Sequence, residues 1–334
     1  MPRPLLQICY HDHCFDGVAS AATFLRFYRE EVKPGLALDR VALRGMAHRA
    51  GKLFGEEAFA GEENAVVDFR FTTDPRLTWW FDHHQSAFET EEDERAFRAE
   101  ASDKKFWDPK AKSCTRFLAW TCRDRFGWDP APLSELIEWA EIIDGAQFAD
   151  AHSAVELTHP ALQLMLLIEA SKDPGLCPRL IRELSQRPLG EVLREGFVTG
   201  PLGPVLARHR EVVKTVRERL RVEAGVAEVD LSDLALDNVN KFIAYAANPA
   251  TLYTVTVTRG ANRSKVSLGS NPWRQDLRTH NLAGIAERYG GGGHPAVAAI
   301  SFPPDGLEKA RAVAHDIARE LRGEGSAANP PPSP

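Results

Sequence analysis

Residues 77–84 read Leu77-Thr78-Trp79-Trp80-Phe81-Asp82-His83-His84. A short apolar run that stops on a carboxylate and two imidazoles is the pattern of a buried strand opening at its carboxyl end onto a polar site. The pattern recurs upstream. Leu5–Tyr10 (LLQICY) leads into His11-Asp12-His13-Cys14-Phe15-Asp16-Gly17, and Asn64–Asp68 (NAVVD) stops on Asp68. Between the strands, Val18, Ala21, Ala22, Leu25 and Tyr28 recur at helical spacing. Helical patterns also run from Ser113 to about Phe126 and from Leu133 to Ile143, the last followed by Asp144. Strands interleaved with helices predict an α/β fold with a parallel sheet covered on both faces. Ligands of such sheets bind beyond the carboxyl ends of the strands. His11, Asp16, Asp68, Asp82, His83 and His84 are therefore expected to converge there, with Asp144 following the apolar run before it.

One aspartate ending one strand is ordinarily a turn or cap residue, and Cys14 alone would pass for a small buried hydrophobe. The repetition is what changes the reading. Several carboxylates in one crevice repel each other unless cations neutralise them. A mixed carboxylate and imidazole set suits a first-row divalent ion such as Mn²⁺. Five or more candidate ligands favour two ions over one, and an ion pair about 3.5–4 Å apart is a known device for in-line displacement at phosphorus.

The whole chain supplies the frame. Its 334 residues carry 41 Lys and Arg against 47 Asp and Glu, a formal charge of −6, with 43% hydrophobic and 26% charged residues. Those fractions exclude collagen-like, wholly disordered and disulfide-scaffold proteins. At roughly 100–200 residues per domain, two domains are expected. Mild acidity argues against a protein that grips long duplex nucleic acid. No stretch approaches a spanning helix, and the first residues make no secretory signal. Five cysteines (Cys9, Cys14, Cys114, Cys122 and Cys177) without CxxC spacing fit a reducing cytoplasm. The acidic run Glu89 to Glu94 reads as a solvated helix or loop.

From about 150 to 224 the pattern is helical, and then it changes. Residues 252–258, 264–268 and 296–302 read as strands and 306–322 as a last helix. Gly290-Gly291-Gly292-Gly293-His294-Pro295 lies between a helical pattern and a strand, where a glycine loop would let backbone N–H groups approach an anion, with His294 as a further donor. Arg259, Arg263, Lys265, Arg274 and Arg278 are opposed only by Asp276 over 256–280, which looks like an anion-binding wall. Trp273 beside them could stack a base or belong to the core.

Asp82-His83-His84 with the downstream GGGGHP at 290–295, the upstream His11 and Asp16-Gly17, and the intervening VVD resembles the DHH phosphoesterase superfamily, in the branch with a glycine-rich associated C-terminal domain. The resemblance spans about residues 5–322. It implies a Rossmann-like metal-binding domain over 1–190, a helical linker over 191–224, a smaller α/β substrate domain with a mixed sheet over 225–324, and a disordered tail over 325–334. It also implies two metals, typically Mn²⁺ with Mg²⁺, Co²⁺ or Zn²⁺ as alternatives. His11 would hold one metal and Asp16 the other, with Asp68 bridging. His83 and Asp144 would complete the ligand set of the second metal, Asp82 would orient from behind the ligands, and His84 would face the substrate phosphate. Ser267, Gly291, Gly292, Gly293 and His294 would line the substrate wall, with Ser270 beside them.

Two departures stand out. Many relatives place an aspartate where this chain has Cys14, which leaves that site short of a carboxylate or makes Cys14 a thiolate ligand for a softer metal. Relatives also often carry an arginine directly after the Ser267-Leu268 pair, where this chain has Gly269. Arg263 or Arg274 would then supply the missing charge.

The activity implied is metal-dependent phosphodiester hydrolysis in a short oligonucleotide or a linear or cyclic dinucleotide, with no membrane partner and with a homodimer left open. A phosphoanhydride hydrolase acting on polyphosphate is the alternative, and a catalytically weak nucleotide sensor a second.

Overall fold

The computed structural model describes residues 3–47, 53–100, 102–236 and 239–324. The expected tail at 325–334 lies outside the described residues. The chain forms two compact units, one of Met1–Phe148 with Leu157–Leu206, the other of Ala149–Glu156 with the chain from Ala207 onward.

The first unit is built on five strands: β1 (Leu6–His11), β2 (Val41–Met46), β3 (Glu63–Val67), β4 (Trp79–Asp82) and β5 (Lys105–Trp107). All pairings are parallel, in the order β2-β1-β3-β4-β5. Strands buried on both faces must be apolar throughout, and the adjacent tryptophans of β4 show how. Trp79 points into the core built around α1 (Phe15–Phe27), while Trp80 points to the opposite face with Cys9, Val66, Phe69 and Phe71. Each indole N–H is satisfied, Trp79 by the Glu63 carboxylate and Trp80 by the Phe69 carbonyl, both at 2.9 Å. Truncating either ring to alanine should cost about 3–5 kcal/mol. The helix α1 is buried almost all round, because it is packed by α3 (Cys114–Phe126) and α4 (Ser134–Asp144) as well as by the sheet. A solvated helix follows β4: α2 (Glu91–Glu100) buries no side chain, and Thr90 and Asp93 cap its start reciprocally.

Sequence reading missed β2 and β5. In β2, Arg44 and Gly45 break the apolar run, and β5 has only three residues.

The second unit holds a six-stranded mixed sheet, β10-β11-β9-β8-β7-β6, from β6 (Arg221–Glu223), β7 (Val226–Asp230), β8 (Tyr253–Arg259), β9 (Ser264–Ser270), β10 (Gly292–His294) and β11 (Val297–Phe302). One face packs Val255, Val257, Val266, Leu268 and Ile300 against the helix Leu307–Leu321. The other carries Thr254, Thr256, Thr258, Lys265, Ser267, Gly269 and Ala299, in register.

Candidate metal centre

The strand order reverses direction between β1 and β3, and this is where an open parallel sheet leaves a crevice. Register puts Tyr10 level with Val67, and Val67 level with Phe81. The next residues on these three strands, His11, Asp68 and Asp82, therefore form one row at the carboxyl edge. Gly17 lets α1 start close behind it: a Cβ there would run into the His11 carbonyl.

Asp68 is at the centre. It is 1% exposed, and its φ of 55° lies in the left-handed region that aspartate enters more readily than most residues. His11 Nδ1 lies 3.5 Å from Asp68 Oδ2, and His83 Nε2 lies 3.5 Å from Asp68 Oδ1. His83 Nε2 also faces Asp144 Oδ2 at 3.4 Å and Asp16 Oδ2 at 3.7 Å. The other His83 ring nitrogen is 3.0 Å from the Ala111 carbonyl. Donating there fixes the tautomer that leaves a lone pair on Nε2, the usual arrangement behind a metal-ligating histidine. Asp16 is held by the first turn of α3: Cys114 N–H donates to it at 2.6 Å, Thr115 N–H at 3.1 Å and the Thr115 hydroxyl at 2.6 Å.

Asp82, fully buried, points its Oδ1 at His84 Nδ1 at 2.7 Å and also accepts the backbone N–H groups of His83 and His84. It orients His84, whose side chain is one-third exposed at 33%. The Trp107 indole donates to the His84 carbonyl and fixes it from the β5 side.

The titratable groups of the cluster shift one another strongly. Burial and then the carboxylates of Asp68 and Asp144 push Asp16 well above its ordinary range. Asp144 is raised to about 6 by burial and by Asp68. For Asp68 burial acts upward, but the imidazoles of His11 and His83 outweigh it and hold the group below its ordinary range. Desolvation acts against the His83 charge, yet Asp68 and Asp16 raise it to about 10.

Do these residues fit metal ions? Both Asp68 oxygens and His83 Nε2 are sealed from solvent without closing a hydrogen bond. Such buried acceptors are costly unless something else is bound there. Three ligand groups have their donor atoms within 4.8 Å of one another: His11, Cys14 and Asp68; Asp68, His83 and His84; and Asp16, His83 and Asp144. Asp68 and His83 belong to two groups each, so the groups overlap into one centre. The residues fit. All the metal-type residues singled out from sequence are brought together, whereas His13 turns its ring to the Ile168 carbonyl. Sequence reasoning missed the clamp on Asp16 by α3. The start of α3 was legible at Ser113, but not its contact with a residue almost a hundred positions away.

In the second unit, the glycine run is less of a loop than expected. Gly292–His294 form the edge strand β10, because Gly292 and His294 pair with Ala299 and Val297 of β11. Gly291 and Gly293 are needed where they stand, since a Cβ on either would meet β11 backbone. Ser267, Ala299 and Gly292 lie side by side on the open face of the sheet. Ser270 donates its hydroxyl to the Ala296 carbonyl at 3.1 Å. Arg263 sits exposed at the β8–β9 hairpin, 3.4 Å from the Ser301 hydroxyl, and Arg274 donates to the Ala250 carbonyl at 3.1 Å. Trp273 packs edge-on against Phe242 and Tyr245. At Gly269, a Cβ would lie 2.8 Å from Thr254 Oγ1 and 3.0 Å from the Tyr245 hydroxyl, so those two groups crowd out a side chain there.

The chain shares its fold with solved structures that include a DHH domain protein. Among solved structures, the chain is similar to a pGpG-specific phosphodiesterase, PggH from Vibrio cholerae, at 16% identity and a TM-score of 0.67 over 96% of this chain and 99% of that one. It is similar to an exopolyphosphatase-related protein from Bacteroides fragilis at 11% identity and a TM-score of 0.55, over 96% and 93% of the two chains. It also resembles RecJ in complex with Mn²⁺ from Thermus thermophilus, at 15% identity and a TM-score of 0.52, over 94% of this chain and 52% of RecJ. No family model matches the chain, and no curated protein matches it. Among the described residues, no helix is long and apolar enough to cross a membrane.

Proposed function

We propose that the protein is a metal-dependent phosphodiesterase acting on short nucleotides, with a linear dinucleotide as its preferred substrate. The observation that carries this is the set of overlapping ligand groups sharing Asp68 and His83. His11 and Asp68 would hold one ion, and Asp16, His83 and Asp144 a second. Divalent cations bound there would acidify water and neutralise charge developing on the phosphoryl oxygens.

The chain's own groups do the rest. The Ala111 carbonyl engages His83 Nδ1, which leaves Nε2 to serve as the ligand atom. Asp82 holds His84 in one orientation, with its Nδ1 engaged, so that the exposed part of its ring can donate to a phosphoryl oxygen in the transition state. In the second unit, the row of Ser267, Ala299 and Gly292 leaves space without bulky side chains, and His294 in the neighbouring row adds a donor, which suits a terminal phosphate. The dinucleotide preference is supported by the likeness to a pGpG-specific phosphodiesterase.

The test is a panel of linear dinucleotide, cyclic dinucleotide, short oligonucleotide and polyphosphate with Mn²⁺, Mg²⁺, Co²⁺ or Zn²⁺, read by product mass. Mononucleotide release from the linear dinucleotide is expected. Phosphate release from polyphosphate alone would replace this reading with a phosphoanhydride hydrolase, and tight nucleotide binding without turnover would replace it with a sensor.

A further inference from the structure

The two ligand groups that hold ions in the proposed centre are chemically unequal. Asp16, His83 and Asp144 offer two carboxylates and one imidazole, a hard set suited to Mn²⁺ or Mg²⁺. His11, Cys14 and Asp68 offer one carboxylate, one imidazole and one sulfur, with those atoms within 4.8 Å of one another.

The position of Cys14 is informative. It is the N-cap residue of α1, where serine, threonine, aspartate or asparagine would normally satisfy a free N–H, and it closes no capping hydrogen bond with its side chain. Nor is its setting that of an ordinary buried thiol, which packs among apolar groups. Its sulfur stands beside the His11 ring and beside Asp68, whose two oxygens are buried without hydrogen bonds. Cys9, Cys114, Cys122 and Cys177 lie in the apolar core, and the Cys114 thiol donates to the Phe81 carbonyl at 3.3 Å.

We infer that Cys14 Sγ is a direct ligand of the ion held by His11 and Asp68, and that it makes this half of the centre thiophilic, selecting Zn²⁺, Co²⁺ or Fe²⁺ over Mg²⁺. Binding converts the thiol to a thiolate and releases its proton to solvent, so each ion bound displaces one proton at this residue. The centre then pairs a soft site with a hard one. This inference rests on the two-ion reading of the site but not on any substrate.

Its test therefore needs no turnover. The metal-free full chain is titrated with Co²⁺ and its near-ultraviolet spectrum recorded. A sulfur-to-cobalt charge-transfer band is expected from the unaltered protein and is lost in Cys14→Ser, with circular dichroism unchanged. The Zn²⁺-over-Mg²⁺ preference should drop in Cys14→Ser by more than the about 10–100-fold that an outer partner of a metal ligand costs. Cys14→Asp should also lack the band and should gain Mg²⁺ and Mn²⁺ affinity relative to Zn²⁺. A cobalt complex without the band, or a band that survives unchanged in Cys14→Ser, overturns the assignment. X-ray absorption of the Zn²⁺-loaded unaltered chain decides the point even if the variants do not fold: one sulfur neighbour supports it, and nitrogen and oxygen neighbours alone refute it. Failure of the dinucleotide assay with a positive cobalt band would sink the substrate reading and leave this one standing.

Discussion

Asp68→Asn is the perturbation that separates the proposed centre from an incidental cluster of acids. Asparagine tolerates the left-handed backbone that Asp68 adopts at φ 55°, so the turn after β3 should survive while the charge goes. In the metal-free protein, His83 Nε2 faces three carboxylates at nearly equal distances, 3.4, 3.5 and 3.7 Å. At an effective dielectric of about 20, each pair is worth about 5 kcal/mol before desolvation is set against it. Among the groups that raise His83 from 6.5 to about 10, Asp68 leads, ahead of Asp16, so deleting its charge should remove the larger part of the shift. The expected result is a drop of more than about one pH unit in the His83 titration, at about 1.4 kcal/mol per unit, followed by carbon-detected NMR of the imidazoles without metal. With Mn²⁺ present, the same variant should lose more than the about 100-fold in turnover that an outer partner of a ligand costs, because Asp68 belongs to two ligand groups. An unchanged His83 titration together with full Mn²⁺-dependent turnover would refute the central placement of Asp68.

Metal-free protein should become less thermally stable as pH rises from 6.5 towards 10. His83, raised to about 10 in the fold, stabilises fully below its unfolded value near 6.5 and loses that contribution as it deprotonates, while Asp144, raised to about 6, already opposes folding once ionised. A flat melting temperature across that range contradicts the site electrostatics. Gly17→Ala should cost about 1–3 kcal/mol in urea denaturation and weaken metal binding, since its Cβ would displace the His11 backbone. Gly269→Ala should cost about 1–3 kcal/mol through Thr254 and Tyr245, and pairing it with Tyr245→Phe should recover part of the loss, whereas additive losses would show that the crowding lies elsewhere. Asp82→Asn should reduce kcat with little change in substrate KM, because it acts on the orientation of His84; a KM effect alone would assign Asp82 to binding.

Much of the first unit was legible from sequence because β1, β3 and β4 are buried and mostly apolar, and each ends on or runs into a titratable residue. Local pattern was enough to place β1, β3 and β4, and the rule that ligands gather at carboxyl ends did the rest. What local pattern could not supply was anything fixed by distant partners. Arg44 and Gly45 hid β2, whose place is set by pairing with β1. The clamp on Asp16 is made by the backbone N–H groups of Cys114 and Thr115 with the Thr115 hydroxyl, and local pattern does not reveal a partner so distant in sequence. The glycine run read as a loop because glycine is a poor strand former, yet β11 offers it a free edge to pair with. Gly269 looked like a missing arginine, and only the approach of Tyr245 and Thr254 from other segments shows why a side chain is excluded there.

The overall acidity of the chain takes its meaning from location. Asp16, Asp68 and Asp144 crowd around a single imidazole, and burial keeps water and salt from screening Asp16 and Asp68, while Asp144 reaches solvent. Without cations, the fold keeps a proton on His83 and raises Asp16 and Asp144 towards neutrality, which is a charge balance made from protons. Cations must displace those protons, so metal affinity has to rise with pH while the stability of the metal-free fold falls. The two trends have the same origin. A cluster of surface acids, solvated and independent, would show neither, which makes their joint appearance the signature of one coupled centre.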